Sequence, residues 1–267
     1  MRRGIAESVS VRTQKENTLA VSAAAITSEH ASRFRDEGFF ILDRVVPAGD
    51  LETLRGECQR CIDDRDREMD RLGVDELDLD HRGRRYFVHA YAHSAIRAFL
   101  RSDLMTEVAR AALGETVYLF NEQYVVKAAE RGMTFGWHQD SGFIGYAHRP
   151  YLTCWIALDD VSEANGTFYL LPYARAGTSR VVEHVRDERT NDLVGYFGDD
   201  PGDPVNAPAG SIVCFSSTLF HRSGPNTTDR MRRVYVAQYA AEPILDEERS
   251  APRHLAEPLL IDGKRVA

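Results

Sequence analysis

At 267 residues the chain has room for one large domain or two small ones, and a hydrophobic fraction of 43% is enough to build a sizeable core. A formal charge of −8 argues against a general nucleic-acid binder, which needs a basic face to neutralise phosphates; the local cluster Arg82, Arg84 and Arg85 reads as a solvated turn. No apolar run approaches the roughly 18 residues of a membrane span, and Met1-Arg2-Arg3 leads into a polar, mixed-charge segment without a secretory core, so the chain reads as cytoplasmic.

Residues 1–24 are rich in Ser, Thr, Ala and charge without periodicity and are expected to be disordered. Residues 25–267 read as a single domain. Thr27-Ser28-Glu29-His30 has the composition of a helix cap, and the helix that follows should stop at Gly38. Phe39-Phe40-Ile41-Leu42 reads as a short buried strand, with Pro47 marking the next turn. Helical patterns run from Asp50 to about Leu113, where Gly114 is a C-cap, giving a helical N-terminal half over 25–114. Within it Cys58 and Cys61 form a lone C-x-x-C on one helix face; with no second pair to complete a zinc site, they read as small apolar packing groups.

From Thr116 the texture changes to short β-rich runs over 117–128, 134–138, 151–158, 167–171, 211–215 and 233–239, punctuated by Asn165-Gly166, Pro172, Gly177 and Pro208-Ala209-Gly210. Helices first and strands second, without βαβ alternation, argue against a doubly wound sheet. The expectation is a mainly β fold with N-terminal helices, a double-sheet (cupin-like) jelly-roll core flanked by helices, with the catalytic half over 115–240. The Gly-, Asp- and Pro-rich stretch 187–206 is a long insert of the kind that forms lids or binding loops.

Chemistry concentrates in His138-Gln139-Asp140. Residues i and i+2 of a strand share a face, so His138 and Asp140 can reach one cation while Gln139 points away. His221, at the exit of a later strand, can supply a third donor. Two imidazoles and one carboxylate suit Fe(II), although zinc and manganese accept the same donors. Taken singly, His138 reads equally well as a core histidine bonded to Asp140, and His221 as the start of the turn Ser223-Gly224-Pro225-Asn226. Arg232 adds weight. It begins the 233–239 strand, expected to run antiparallel to the one ending at His221, and a buried arginine needs an anionic partner that its planar fork can grip. Arg233 should point to the opposite face, towards solvent.

His138-Gln139-Asp140, the run His221-Arg222-Ser223-Gly224-Pro225-Asn226 and Arg232 together resemble the signature of the phytanoyl-CoA dioxygenase family of Fe(II)- and 2-oxoglutarate-dependent oxygenases. The resemblance extends from about Thr27 to Tyr239 and includes the strand ending in Lys127, the 151–159 strand, and Asn165-Gly166-Thr167 leading into Leu170-Leu171-Pro172. It implies a double-stranded β-helix, with His138, Asp140 and His221 as iron ligands. Arg232 and Ser223 would hold the distal carboxylate of 2-oxoglutarate, Thr153 would assist, and Trp155 would wall the pocket. Two departures, Pro172-Tyr173-Ala174-Arg175 in place of Pro-Gly-Ser-His and Arg222 in place of Gly, lie outside the ligand set and bear on the substrate entrance.

The implied reaction consumes 2-oxoglutarate and O2, releases succinate and CO2, and oxidises an unactivated C–H bond of a small metabolite, such as a natural-product intermediate. Hydroxylation, desaturation, epoxidation and ring formation all share that start. The carboxylate at 140 speaks against a halogenase, in which a small residue vacates a coordination position for halide. For the substrate, Asn121 and Gln123 share a face of the 117–127 strand with Val125 and Lys127, and that face is either inside or outside the barrel. Trp137 and Phe143 flank the metal motif as apolar wall candidates. A jelly-roll metalloenzyme that does not use 2-oxoglutarate and a catalytically silent binding module are the other classes; Arg232 weighs against the first and the intact triad against the second.

Overall fold

In the computed structural model, helix α1 (Ser28–Glu37) starts at Thr27, whose N–H donates to His30 Nδ1 at 3.0 Å. It ends at Gly38, which adopts a left-handed φ of 93°. A Cβ there would sit 2.8 Å from both Leu219 and Tyr173, so glycine is required for conformation and space alike. The structure describes residues 26–266 apart from 79, 83–84, 89–93, 130–133 and 189–191. The expected disorder of 1–24, and Arg84, therefore lie outside the described residues.

Strand β1 (Phe39–Leu42) follows, then α2 (Ala48–Leu72), which buries Leu54, Cys58, Cys61, Ile62 and Met69 along one stripe. Both helix cysteines are buried, and burial pushes the Cys58 thiol up to about 12, which removes the thiolate that redox or zinc chemistry needs. The continuous helical reading of 50–113 fails after Gly73. There β2 (Glu76–Leu77), β3 (Asp80–His81) and β4 (Arg85–Val88) form a small meander before α3 (Ser94–Leu100) and α4 (Asp103–Leu113). These strands carry no apolar alternation of their own; β4 forms because the long β5 (Val117–Lys127) offers an edge, pairing Arg85 with Lys127 through Val88 with Tyr124.

The remaining elements are β6 (Phe135–His138), a 3₁₀ turn (Asp140–Phe143), β7 (Leu152–Ala157), β8 (Phe168–Leu171), the short α5 (Tyr173–Ala176), β9 (Val185–Arg186), β10 (Leu193–Val194), β11 (Asp203–Pro204), β12 (Ile212–Ser216), β13 (Phe220–Ser223), β14 (Arg232–Ala240), β15 (Glu257–Ile261) and β16 (Lys264–Arg265). The major sheet runs β1-β12-β7-β14-β5-β4-β3-β2, with β15 joining the other end of the β5 edge; the minor sheet runs β11-β8-β13-β6. All pairings are antiparallel, as a jelly roll demands. β15 and β16 extend the major sheet beyond the β-rich region expected to end near 240.

Period-2 alternation divides the major sheet between two cores. Cys154, Ile156, Tyr235, Ala237 and Tyr239 pack under the helices with Leu54, Leu100 and Val108, whereas Trp155, Val213, Phe215, Val234 and Val236 meet Phe168 and Leu170 between the sheets. The inward face of β14 thus begins with Arg232. On β5 the same parity turns Gln123, Val125 and Lys127 inward, which settles the two-way reading of that strand. Among the described residues no helix is long and apolar enough to cross a membrane.

Candidate active site

His138 ends β6 and pairs directly with His221 in the middle of β13, so register alone places the two imidazoles side by side, ring centroids 4.2 Å apart. Asp140 follows as the first residue of the 3₁₀ turn, its Oδ1 3.4 Å from His221 Nε2. Donor atoms of the three residues lie within 4.8 Å of one another. The Nδ1 atoms of His138 and His221 face the carbonyls of Gly136 and Leu219 at 2.7 and 3.0 Å; a carbonyl only accepts, so both Nδ1 carry hydrogen and Nε2 is the nitrogen each ring would offer a cation. Two imidazoles and one carboxylate match the donor set of non-heme iron.

Electrostatics prepare the same state. Burial, reinforced by His221, lowers the His138 pKa well below its ordinary 6.5. Burial alone would raise the Asp140 carboxyl, but His221, His138 and the Thr153 hydroxyl outweigh it and hold the group below the usual carboxylate range. Because folding depresses the His138 pKa, the unfolded chain takes up the proton first. Its contribution to stability is complete above pH 6.5 and is lost as pH falls below that. Denaturant titration of metal-free protein is expected to show falling stability as the buffer is taken below pH 6.5; a flat profile would contradict a neutral buried imidazole.

A cavity of about 110 Å³ runs between the sheets from this cluster to Arg232. Arg232 is 2% exposed, and its Nη2 donates to the Gly166 carbonyl at 2.9 Å. Its Nε and Nη1 are buried with no hydrogen-bond partner. Burial lowers its pKa to about 10. The guanidinium lies 5.6 Å over Trp155, which walls the cavity as expected. Such orphaned donors call for an anion, and a 2-oxoglutarate carboxylate fits them. Ser223 lies at this end, receiving a hydrogen bond from Lys127 Nζ at 2.8 Å, while the same ammonium also donates to the Gly224 carbonyl. Lys127, read from sequence as the strand end that shares a face with Asn121 and Gln123 but given no role, thereby adds a second buried cation near the cavity.

Arg232 reaches the cavity differently from the expectation. β14 does not pair with β13; it pairs with β5 and β7 in the major sheet, so Arg232 faces Ser223 across the sandwich. Arg233 turns to the other face as expected, but a two-pronged pair with Asp159 (2.7 and 3.0 Å) holds it there instead of solvent.

The other expected site residues separate. Thr153 lines the cavity, but its hydroxyl donates to Asp140 Oδ2 at 2.6 Å, at the far end of the inward β14 row from Arg232. Gln123 lines the cavity, whereas Asn121 donates to Gln238 Oε1 at 3.0 Å. Phe143, 49% exposed, stands edge-on to His138 at 5.5 Å on the rim. Trp137 is not a pocket wall: next to His138 on a strand, it faces outward onto Tyr196 (5.7 Å) and Arg222 (5.3 Å).

Gln139, expected merely to point away, is a buried hub. Its Nε2 donates to the carbonyls of Arg180 and Thr218, its Oε1 accepts from Val182 N–H, and its own N–H donates to His184 Nε2 at 2.9 Å. The His184 ring lies so close to Gly142 that a Cβ there would come within 2.5 Å of it. The 187–206 insert, expected as a lid or binding loop, is anchored to the minor sheet in its described parts: β11 pairs with β8, Gly195 N–H donates to the Trp137 carbonyl, and Arg175 grips Asp200 and Asp203.

Comparison with known proteins agrees with this architecture. The chain is 31% identical over 162 residues to the probable alpha-ketoglutarate-dependent hypophosphite dioxygenase of Stutzerimonas stutzeri (57% of this chain, 55% of that protein). It is 28% identical over 165 residues to the L-proline trans-4-hydroxylase of Streptomyces griseoviridis (52% and 60%). The matches thus span little more than half the length of these two relatives. In fold, it matches the non-heme alpha ketoglutarate dependent carbocyclase SnoK from nogalamycin biosynthesis with a TM-score of 0.66 at 19% identity, covering 88% of this chain and 95% of that one. The family model for phytanoyl-CoA dioxygenase (PhyH) matches residues 34–234, most of the chain, and the protein belongs to that family.

Proposed function

We propose that the protein is a non-heme Fe(II)- and 2-oxoglutarate-dependent oxygenase that oxidises an unactivated C–H bond of a small metabolite. The observation that carries this reading is Arg232, a buried guanidinium with two unpartnered donors, at the end of a cavity that begins at a His-Asp-His cluster. His138, Asp140 and His221 would hold the metal. Arg232, with Ser223 and Lys127 beside it, would hold the far carboxylate of 2-oxoglutarate. When bound, iron, cosubstrate and O2 supply the oxidising power; the chain positions them and excludes water.

The same orphaned arginine disfavours a jelly-roll metalloenzyme that does without a keto acid, and the complete donor set disfavours a silent binding module. Gln123 and Phe143 are the substrate-facing candidates. The matched relatives carry names of enzymes for small molecules, and one structural neighbour comes from a natural-product pathway, which supports a small-metabolite substrate over a macromolecule. Four buried, unpaired cysteines accord with a reducing cytoplasmic setting.

Anaerobic titration with Fe(II), with and without 2-oxoglutarate, tests the reading. A visible charge-transfer band that requires both is expected, and its absence overturns the assignment. Succinate release against a panel of small metabolites, with product mass measured, then separates a gain of one oxygen from a loss of two hydrogens.

A further inference from the structure

Asp140 has two carboxylate oxygens in different surroundings. Oδ1 is the one beside His221 Nε2, at 3.4 Å, and is the oxygen placed to bind a cation. Oδ2 accepts from the Thr153 hydroxyl at 2.6 Å and from Gln238 Nε2 at 3.2 Å. Gln238 Nε2 also reaches Thr153 Oγ1 at 3.2 Å, and Gln238 Oε1 accepts from Asn121 Nδ2 at 3.0 Å. A carboxylate only accepts, so Gln238 must turn its nitrogen towards Asp140. Its oxygen then faces Asn121, which must in turn present its own nitrogen. The charge on Asp140 thus dictates both amide orientations.

These residues form one row across three strands. Thr153 on β7 is the register partner of Gln238 on β14, and Gln238 is the partner of Asn121 on β5. Immediately beyond this row the β14–β5 register shifts, with Tyr239 opposite Leu119 and Phe120 left over, a bulge of the kind that re-aims side chains beside active sites.

We propose that Asn121 and Gln238 are positioning residues: a relay that, with Thr153, locks Asp140 so that Oδ1 alone is presented to the metal. Asn121 then acts through Gln238 and is not a substrate contact. The inference rests on the proposed metal role of Asp140. Groups that orient metal ligands typically contribute about 10–100-fold in affinity. Gln238→Ala is therefore expected to weaken anaerobic Fe(II) binding about 10–100-fold. Asn121→Ala should weaken it less. Asn121→Asp should be worse than Asn121→Ala, because an acceptor facing Oε1 drives the Gln238 amide to turn and sets its oxygen against Oδ2. In the Gln238→Ala background, Asn121→Ala should add nothing.

Metal titrations of these variants, with melting curves as the folding control, provide the test. Gln238→Met, which keeps the packing volume but not the hydrogen bonds, replaces the alanine variant if that fails to fold. Wild-type affinity in the Asn121 variants, or losses that add independently of Gln238, overturns the relay while leaving the metal site standing. Failure of the parent protein to bind Fe(II) overturns both.

Discussion

Arg232→Met is expected to leave the ligand-free protein at least as stable as the parent while weakening 2-oxoglutarate binding about 10²–10³-fold, the loss seen when one partner of a buried, hydrogen-bonded charge pair is removed. Without a ligand the guanidinium is a buried cation with a single protein hydrogen bond, to Gly166, and burial lowers its pKa from 12.5 to about 10. The folded state holds that proton less tightly than the unfolded chain does, so the charge opposes folding at every pH below about 10. The shift corresponds to roughly 3 kcal/mol. An apolar side chain of similar length removes that cost and still packs on Trp155; such replacements of buried charges are often neutral or stabilising. A carboxylate arriving in the cavity reverses the balance, because a charge-assisted hydrogen bond from either orphaned donor, Nε or Nη1, pairs the buried cation. Melting curves with Fe(II), with and without 2-oxoglutarate, read this directly: the parent should gain stability on adding the keto acid, and Arg232→Met should not. A variant that melts several degrees lower without ligand, yet keeps the shift, would make Arg232 a structural cation instead.

That asymmetry explains why Arg232 stood out in the sequence while its setting did not. A two-residue period is enough to place His138 and Asp140 together and to send Arg233 the other way, because strand parity is local. The sheet a strand joins is not local. The turn between Ser216 and Phe220 carries the chain from the major to the minor sheet, so His221 pairs with His138 and Arg232 faces it from across the sandwich. Nothing in the hydropathy of 211–239 marks that crossing. Trp137 shows the converse: the parity that turns His138 inward turns its neighbour out, onto Tyr196 and Arg222, whatever its apolar character. Gln238, Asn121 and Gln139 show a third limit. Each is an amide whose role depends on which atom meets which partner across strands, and composition carries no trace of that. The 76–88 meander was hidden because its pairing is supplied by β5, not by its own pattern.

Asp140→Ala is expected to weaken Fe(II) binding on the order of 10²–10³-fold and to abolish turnover. Site energies of about 10–16 kcal/mol shared among a few ligands assign several to each, and Asp140 is the only anionic donor of the three. His138 and His221 keep their carbonyl-fixed orientations, so two neutral nitrogens remain, but nothing offsets the charge of the cation. The substitution also leaves the Thr153 hydroxyl and Gln238 Nε2 pointing into the vacated space, two donors arranged to receive a carboxylate. Added formate should therefore restore part of the metal affinity, which a collapsed fold would not allow. Iron titration at neutral pH, with and without formate, gives the answer, and binding within a few-fold of the parent would remove Asp140 from the metal site. The two substitutions should also dissociate. Arg232→Met loses the keto acid and keeps the metal, whereas Asp140→Ala loses both, because the keto-acid end needs a cation to bind to. Only a cavity with a metal at one end and a carboxylate clamp at the other produces that pattern.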